Sequence, residues 1–117
     1  MLAGVRPSGD PVEIRDDDVR LLVFLTSSCL PCRLWWAELG TRPHPAAVIV
    51  TPDPTTEDAR AVAALDQGRV PVVMSSAAWI DHGVRGAPTV LLVRDDAVVA
   101  RAEPHTWEEF DALLAGG

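Results

Sequence analysis

A chain of 117 residues, 48% hydrophobic and 23% charged, has the size of one domain and enough apolar surface for a core, which excludes a disordered chain. Its net charge is −7 and all 10 basic residues are arginines with no basic stretch, so nucleic acid is not an expected partner. No run approaches the ~20 apolar residues of a membrane-crossing helix, and the start lacks a signal peptide's basic-then-apolar pattern.

Residues 1–11 carry Gly4, Pro7, Gly9 and Pro11 and read as a flexible N-terminal arm. Residues 12–117 then form the domain. Val12 to Ile14 suits a short edge strand, and Asp16-Asp17-Asp18 a solvated turn without calcium-loop spacing. Arg20 to Thr26 is a continuous apolar run, the pattern of a central strand buried on both faces. A helix from Pro31 follows, with Cys32, Trp35, Trp36 and Leu39 on one face and Gly40 and Pro43 ending it. Ala46 to Val50 is a second buried strand. Thr55 or Thr56 can cap a helix to about Leu65, with Glu57 and Asp58 in its first turn. Val70 to Met74 reads as a short strand, and Ser75 or Ser76 caps a short helix through Trp79 and Ile80. Thr89 to Val93 and Ala97 to Ala102 form a hairpin across Asp95-Asp96. Thr106 and Glu109 make a capping box for a last helix packed through Trp107, Phe110, Leu113 and Leu114. Alternating strands and helices imply right-handed crossovers and a parallel sheet, to which the hairpin adds antiparallel strands.

The chemistry sits in the two cysteines, Cys29 and Cys32. A bridge over so short a loop adds little stability through chain entropy, and a secreted scaffold spreads its cysteines, so a disulfide here points to redox chemistry. The pair follows a buried strand and opens a helix, where free N–H groups and the dipole favour an anionic sulfur. Cys32 shares the buried helical face, so Cys29 is the exposed attacking thiol and Cys32 the shielded resolving one. Pro31 falls in the first turn, where its missing N–H costs nothing. Two alternatives stay open. One is a zinc site, for which His44, His82 and His105 are too dispersed to complete four ligands; the other is a pair of inert core thiols.

Two segments resemble the thioredoxin superfamily. Val23-Phe24-Leu25-Thr26-Ser27-Ser28-Cys29-Leu30-Pro31-Cys32-Arg33 matches its strand–CxxC–helix unit, and Gly83-Val84-Arg85-Gly86-Ala87-Pro88-Thr89-Val90 its cis-proline segment. The likeness runs from about Leu21 to the C-terminus. Val70 to Ser76, Ala77-Ala78-Trp79 and Gly83-Val84 look most like the TlpA/ResA-like thiol–disulfide oxidoreductases, whose members are often membrane-tethered and extracytoplasmic. The resemblance implies an α/β thioredoxin fold with a mixed central sheet flanked by helices. It implies catalytic Cys29 and Cys32, and Ala87 and Pro88 binding the substrate chain through a cis bond. Leu30, Pro31 and Trp79 are candidates for the groove wall. The implied cofactor is none beyond the Cys29–Cys32 disulfide, with no metal. The implied partners are protein thiols or disulfides and an upstream redox partner, with the chain a monomer that acts as reductant. Its compartment stays open: the absence of a signal or span in this chain suggests the cytoplasm, the resembling subfamily the opposite.

The sequence departs from the pattern where a buried acid assists proton transfer. That position is Val23, with Glu38 or water as substitutes. Ser28 replaces the aromatic residue before the first cysteine, and Leu30-Pro31 replaces Gly-Pro. The missing acid keeps a second function class in view, a protein-binding module with the fold but weak catalysis. Of Trp35 and Trp36 at least one belongs to the core. Met74 reads as strand core or edge filler, and His82, near the Pro88 loop, as an exposed loop residue.

Overall fold

The computed structural model describes residues 2–15, 21–42, 45–94, 97–104, 106, 108–109 and 112. Its strands are β1 (Leu2–Val5), β2 (Pro11–Ile14), β3 (Leu21–Phe24), β4 (Ala47–Thr51), β5 (Val72–Met74), β6 (Thr89–Arg94) and β7 (Ala97–Ala102). Its helices are α1 (Leu30–Thr41), α2 (Ala59–Leu65) and α3 (Ser76–Asp81). They form one 7-stranded sheet in the order β2-β1-β5-β4-β3-β6-β7. The central β3, β4 and β5 are parallel, with Phe24 opposite Val50 and Thr51 opposite Met74. β6 returns antiparallel to β3, Thr89 lying opposite Phe24. The sheet is therefore mixed, as the alternation and the hairpin require.

β3 shows why the continuous apolar run forms a central strand. Side chains alternate across a sheet. Leu21, Val23 and Leu25 enter one core cluster with Trp35, Trp36 and Leu39 of α1 and Val62 of α2. Leu22 and Phe24 enter a second with Ala78 of α3, Val84, Leu91 and Val93. Each such side chain, removed fully from water, contributes roughly 1.5–3 kcal/mol. Helices thus cover both faces, and a polar residue in this strand would lie in apolar surroundings on either side.

Three sequence expectations change. The N-terminal arm is not loose over residues 2–5. β1 pairs with β2 along its length and meets β5 where Val5 faces Met74. Gly4 permits that approach, because a Cβ there would run into the Met74 carbonyl oxygen and the Val73 side chain. The cap of α2 is Asp58, whose carboxylate accepts from the N–H groups of Arg60 (3.0 Å) and Ala61 (3.4 Å). Thr55 and Thr56 are spent in the preceding turn on Asp53. Gly40 lies within α1 rather than beyond it, with Gln67 packed where a side chain would stand. Ser75 caps α3 through the Ala78 N–H at 3.2 Å, and Met74 is strand core.

The Thr106 hydroxyl accepts from the Glu109 N–H at 3.2 Å, one half of a capping box. Asp16 to Asp18, His44, Asp95-Asp96, His105 and the apolar residues of the expected last helix (Trp107, Phe110, Leu113, Leu114) lie outside the described residues.

Candidate functional site

β3 ends at Phe24, and the chain runs through Thr26, Ser27 and Ser28 to Cys29 at the N-cap of α1. Cys29 has extended backbone, and its sulfur accepts the Cys32 N–H at 3.3 Å. The thiol itself does what a Ser or Asp cap does elsewhere, satisfying a free donor of the first turn. Leu30 is the first helical residue and Pro31 the second, where no N–H is missed. Both cysteines are free thiols. Cys29 is half-buried and Cys32 fully buried, the asymmetry expected of an attacking and a resolving thiol.

Burial pushes the Cys32 thiol up to about 12, helped by its hydrogen bond and charge interaction with Cys29. The backbone and side chain of Thr26 pull the other way. The Cys32 sulfur therefore gives up its proton reluctantly, and Thr26 is the residue that favours its anion. The acid missing at Val23 is not replaced by Glu38. That carboxylate faces Arg42 at 3.6 Å, near the far end of α1.

The second half of the site comes from the loop before β6. Ala87–Pro88 is cis, and the Ala87 carbonyl accepts from the Cys29 sulfur at 3.5 Å. This joins residues 58 positions apart. Thr89, fully buried, ties its hydroxyl to the Gly86 carbonyl at 2.7 Å. Arg101 of β7 reaches across and donates to the His82 and Gly83 carbonyls at 3.2 and 3.1 Å, holding the start of the same loop. A cleft of about 220 Å³ opens here, lined by Pro31, Gly86, Ala87, Pro88, Glu103 and Pro104. Leu30, the chain neighbour of Pro31, is a solvent-facing apolar side chain, 76% exposed.

Cys29, Cys32, Pro31, Ala87 and Pro88 thus converge. Trp79 does not join them. It packs edge-on against Phe24, ring centroids 5.4 Å apart, in the cluster on the α3 face of the sheet. Its position in chain order next to the proline loop misled, because a short helix carries it to the opposite face. Trp35 and Trp36 are both core, and Trp36 Nε1 donates to the Thr26 carbonyl at 3.3 Å. His82 caps α3, bonding the Ala78 carbonyl through Nδ1 at 2.8 Å and leaning on Phe24. Among the described residues no third His, Asp or Glu groups with the cysteines as a metal cluster. No described helix is long and apolar enough to cross a membrane.

Sequence reasoning passed over Glu57 as a site residue. Its carboxylate takes both the N–H (2.9 Å) and the hydroxyl of Ser27, two residues before Cys29. Nothing local reveals this contact, which spans 30 positions.

No protein-family model matches the sequence, and no curated protein does. Solved structures match along nearly the whole chain. A secreted disulfide oxidoreductase of Mycobacterium tuberculosis superposes with a TM-score of 0.75 at 16% identity, over 99% of this chain and 96% of that one. An exposed lipoprotein thioredoxin of Streptococcus pneumoniae gives 0.74 at 18%, over 98% and 96%. A DsbE-type thiol:disulfide interchange protein of Chlorobium tepidum gives 0.66 at 24%, over 99% and 93%. With the sheet order, the cis-proline loop and the cysteine pair at the head of α1, these likenesses establish that the chain has the thioredoxin fold.

Proposed function

We propose that this chain is a thiol–disulfide oxidoreductase that uses Cys29-Leu30-Pro31-Cys32 on protein partners, working as a reductant. The observation that carries the reading is the placement of a half-exposed Cys29 sulfur 3.5 Å from the Ala87 carbonyl, with Cys32 buried behind it. The cleft beside Pro31 and Pro88 takes an extended partner segment. The Cys29 thiolate attacks a sulfur of the partner's disulfide. A Cys29–partner bond forms, the partner's S–S bond breaks, and one partner sulfur leaves as thiolate. Cys32 then loses its proton and attacks the Cys29 sulfur. The Cys29–Cys32 bond forms, the mixed disulfide breaks, and the second partner sulfur leaves. The partner gains two electrons and the chain loses two, to be returned by an upstream thiol donor. The disulfide is the only redox group the cycle uses.

Two variants test this. Cys29→Ser abolishes turnover of a disulfide-bonded protein substrate. Cys32→Ser stops after the first step and accumulates covalent partner complexes, visible on non-reducing gels and dissolved by reductant. Retained turnover in Cys29→Ser overturns the assignment. A redox titration in glutathione buffers, read by the fluorescence of buried Trp35 and Trp36, gives the direction. A midpoint near about −270 mV supports a reductant, and one near about −120 mV an oxidant. Partner binding that persists unchanged when both cysteines are serine would favour the binding module.

A further inference from the structure

The exchange cycle leaves one feature of the site unused, the Glu57 carboxylate on Ser27. We propose that Glu57 is a positioning residue of the thiol site, fixing the Thr26–Ser27 segment against Cys32 so that the mixed disulfide is resolved quickly. The inference rests on the exchange reading above and adds a residue and a step to it.

A chain of contacts runs from one loop to the other. Glu57 stands in the β4–α2 loop, and that loop is tightly built. The Asp53 carboxylate accepts from the Thr55 N–H (2.9 Å) and hydroxyl. The Asp53 carbonyl accepts from the N–H groups of Thr56 (3.1 Å) and Glu57 (2.9 Å). The Asp53 N–H itself donates to the Ser76 hydroxyl of α3 at 2.9 Å. Glu57 Oε1 also takes the Asp58 N–H at 2.8 Å, which fixes the carboxylate at the cap of α2. The carboxylate is thereby held by a scaffold outside the cysteine loop. From there it grips Ser27 through main chain and side chain together. On the other side, Trp36 holds the Thr26 carbonyl, and the Leu25 N–H donates to the Val50 carbonyl at 3.1 Å. Three successive residues, Leu25 to Ser27, are therefore anchored to three different elements. Thr26 lies between the two outer anchors, and it is the residue whose polar groups favour the Cys32 thiolate. Loosening Ser27 frees Thr26 to move off that sulfur, while Cys29 keeps its own cap bond to the Cys32 N–H. The effect falls on resolution by Cys32 and spares the first attack by Cys29.

An alternative use of the same carboxylate is to accept the Cys32 proton, and Glu57→Gln separates the two. With its oxygen in place of Oε2 the amide accepts the Ser27 N–H, and its nitrogen donates to the Ser27 hydroxyl, so it keeps both Ser27 bonds and loses the charge together with the Asp58 N–H bond. The test is rapid mixing of the fully reduced chain with an aryl disulfide (dithiobis-nitrobenzoate) whose released thiolate is coloured. One equivalent appears on attack by Cys29 and a second on resolution by Cys32. Glu57→Ala is expected to keep the first rate within about twofold and slow the second about tenfold, the size of one or two net hydrogen bonds. Glu57→Gln, which loses only the Asp58 N–H bond, is expected to keep the first rate within about twofold and to slow the second about threefold, and Ser27→Ala, which retains its N–H, to slow the second about threefold. The inference is overturned if Glu57→Ala resolves at the wild-type rate, if it slows both steps equally, or if Glu57→Gln is as slow as Glu57→Ala. A wild-type chain that releases only one equivalent overturns the exchange reading, and this inference with it. Should Glu57→Ala fail to fold, an unslowed second step in Ser27→Ala overturns the inference by itself.

Discussion

Alkaline pH acts on the reduced fold through little besides the cysteine pair. The sequence has no lysine and no tyrosine, the side chains that ordinarily titrate near pH 10. Cys32 has an ordinary value of 9.0 and is pushed up to about 12 in the folded chain, first by burial. The sign follows from linkage: the folded state keeps a proton that the unfolded chain releases. This contribution to stability is complete below 9.0 and is lost as the pH rises through 9.0 toward about 12. At one unit per 1.36 kcal/mol, the loss is on the order of 1 kcal/mol at pH 10 and of 2 to 3 kcal/mol at pH 11. Urea unfolding of the chain in excess phosphine reductant, at about pH 8, 10 and 11, measures it. Cys32→Ala run in parallel removes the buried thiol, so the difference between the two chains reports Cys32 together with its interaction with Cys29. The wild-type advantage is expected to shrink by those amounts with rising pH. The oxidised chain has no thiol to titrate, and its stability should stay flat over the same range. A wild-type advantage that is constant from pH 8 to 11 would refute the idea that burial holds the Cys32 proton.

Two further substitutions test how the scaffold supports the site. Gly4→Ala pushes a methyl into the Met74 carbonyl and the Val73 side chain, and should cost about 2 kcal/mol by urea unfolding. It separates β1 from β5, far in sequence from the cysteines, so the midpoint potential should not move. Asp58→Ala removes the side chain that caps α2 through the Arg60 and Ala61 N–H groups, and should cost about 1 kcal/mol by the same measurement.

What the sequence made legible is what local pattern encodes. The apolar runs of β3, β4 and β6 and the i, i+3, i+4, i+7 face of α1 are each written within a few residues, and the structure has them where the pattern puts them. The cysteine pair and the proline before β6 are likewise short motifs. What escaped depends on competition between neighbouring partners or on partners distant in the chain. β1 looks like a loose arm because Gly4 and Pro7 read as breakers, yet Leu2–Val5 pairs along its length with β2 and meets the distant β5 at Val5. Thr55 and Thr56 are good caps by type, but Asp53 claims both, and Asp58 takes the role. Trp79 is close to Ala87 in sequence, yet it packs in the core cluster on the other face of the sheet from the one Ala87 packs against.

The meeting of Cys29 with Ala87 follows from register. β3 runs parallel to β4, so the segments that leave them, Thr26 to Cys29 and Pro52 to Asp58, emerge at the same edge of the sheet. That puts Glu57 within reach of Ser27. β6 runs the other way, and its first residue, Thr89, lies opposite the last residue of β3, Phe24. The residues just before β6 must then stand beside those just after β3, which is where Pro88 and Ala87 meet the cysteine loop. Parallel and antiparallel neighbours of one central strand thus deliver three loops to a single edge, the carboxyl end of β3, where open α/β sheets place their sites. A sheet of parallel strands alone would bring β6 in from the opposite edge and leave Cys29 without the Ala87 carbonyl. The mixed sheet is therefore the condition for the site, and the antiparallel return of β6 is the part of the topology that creates it.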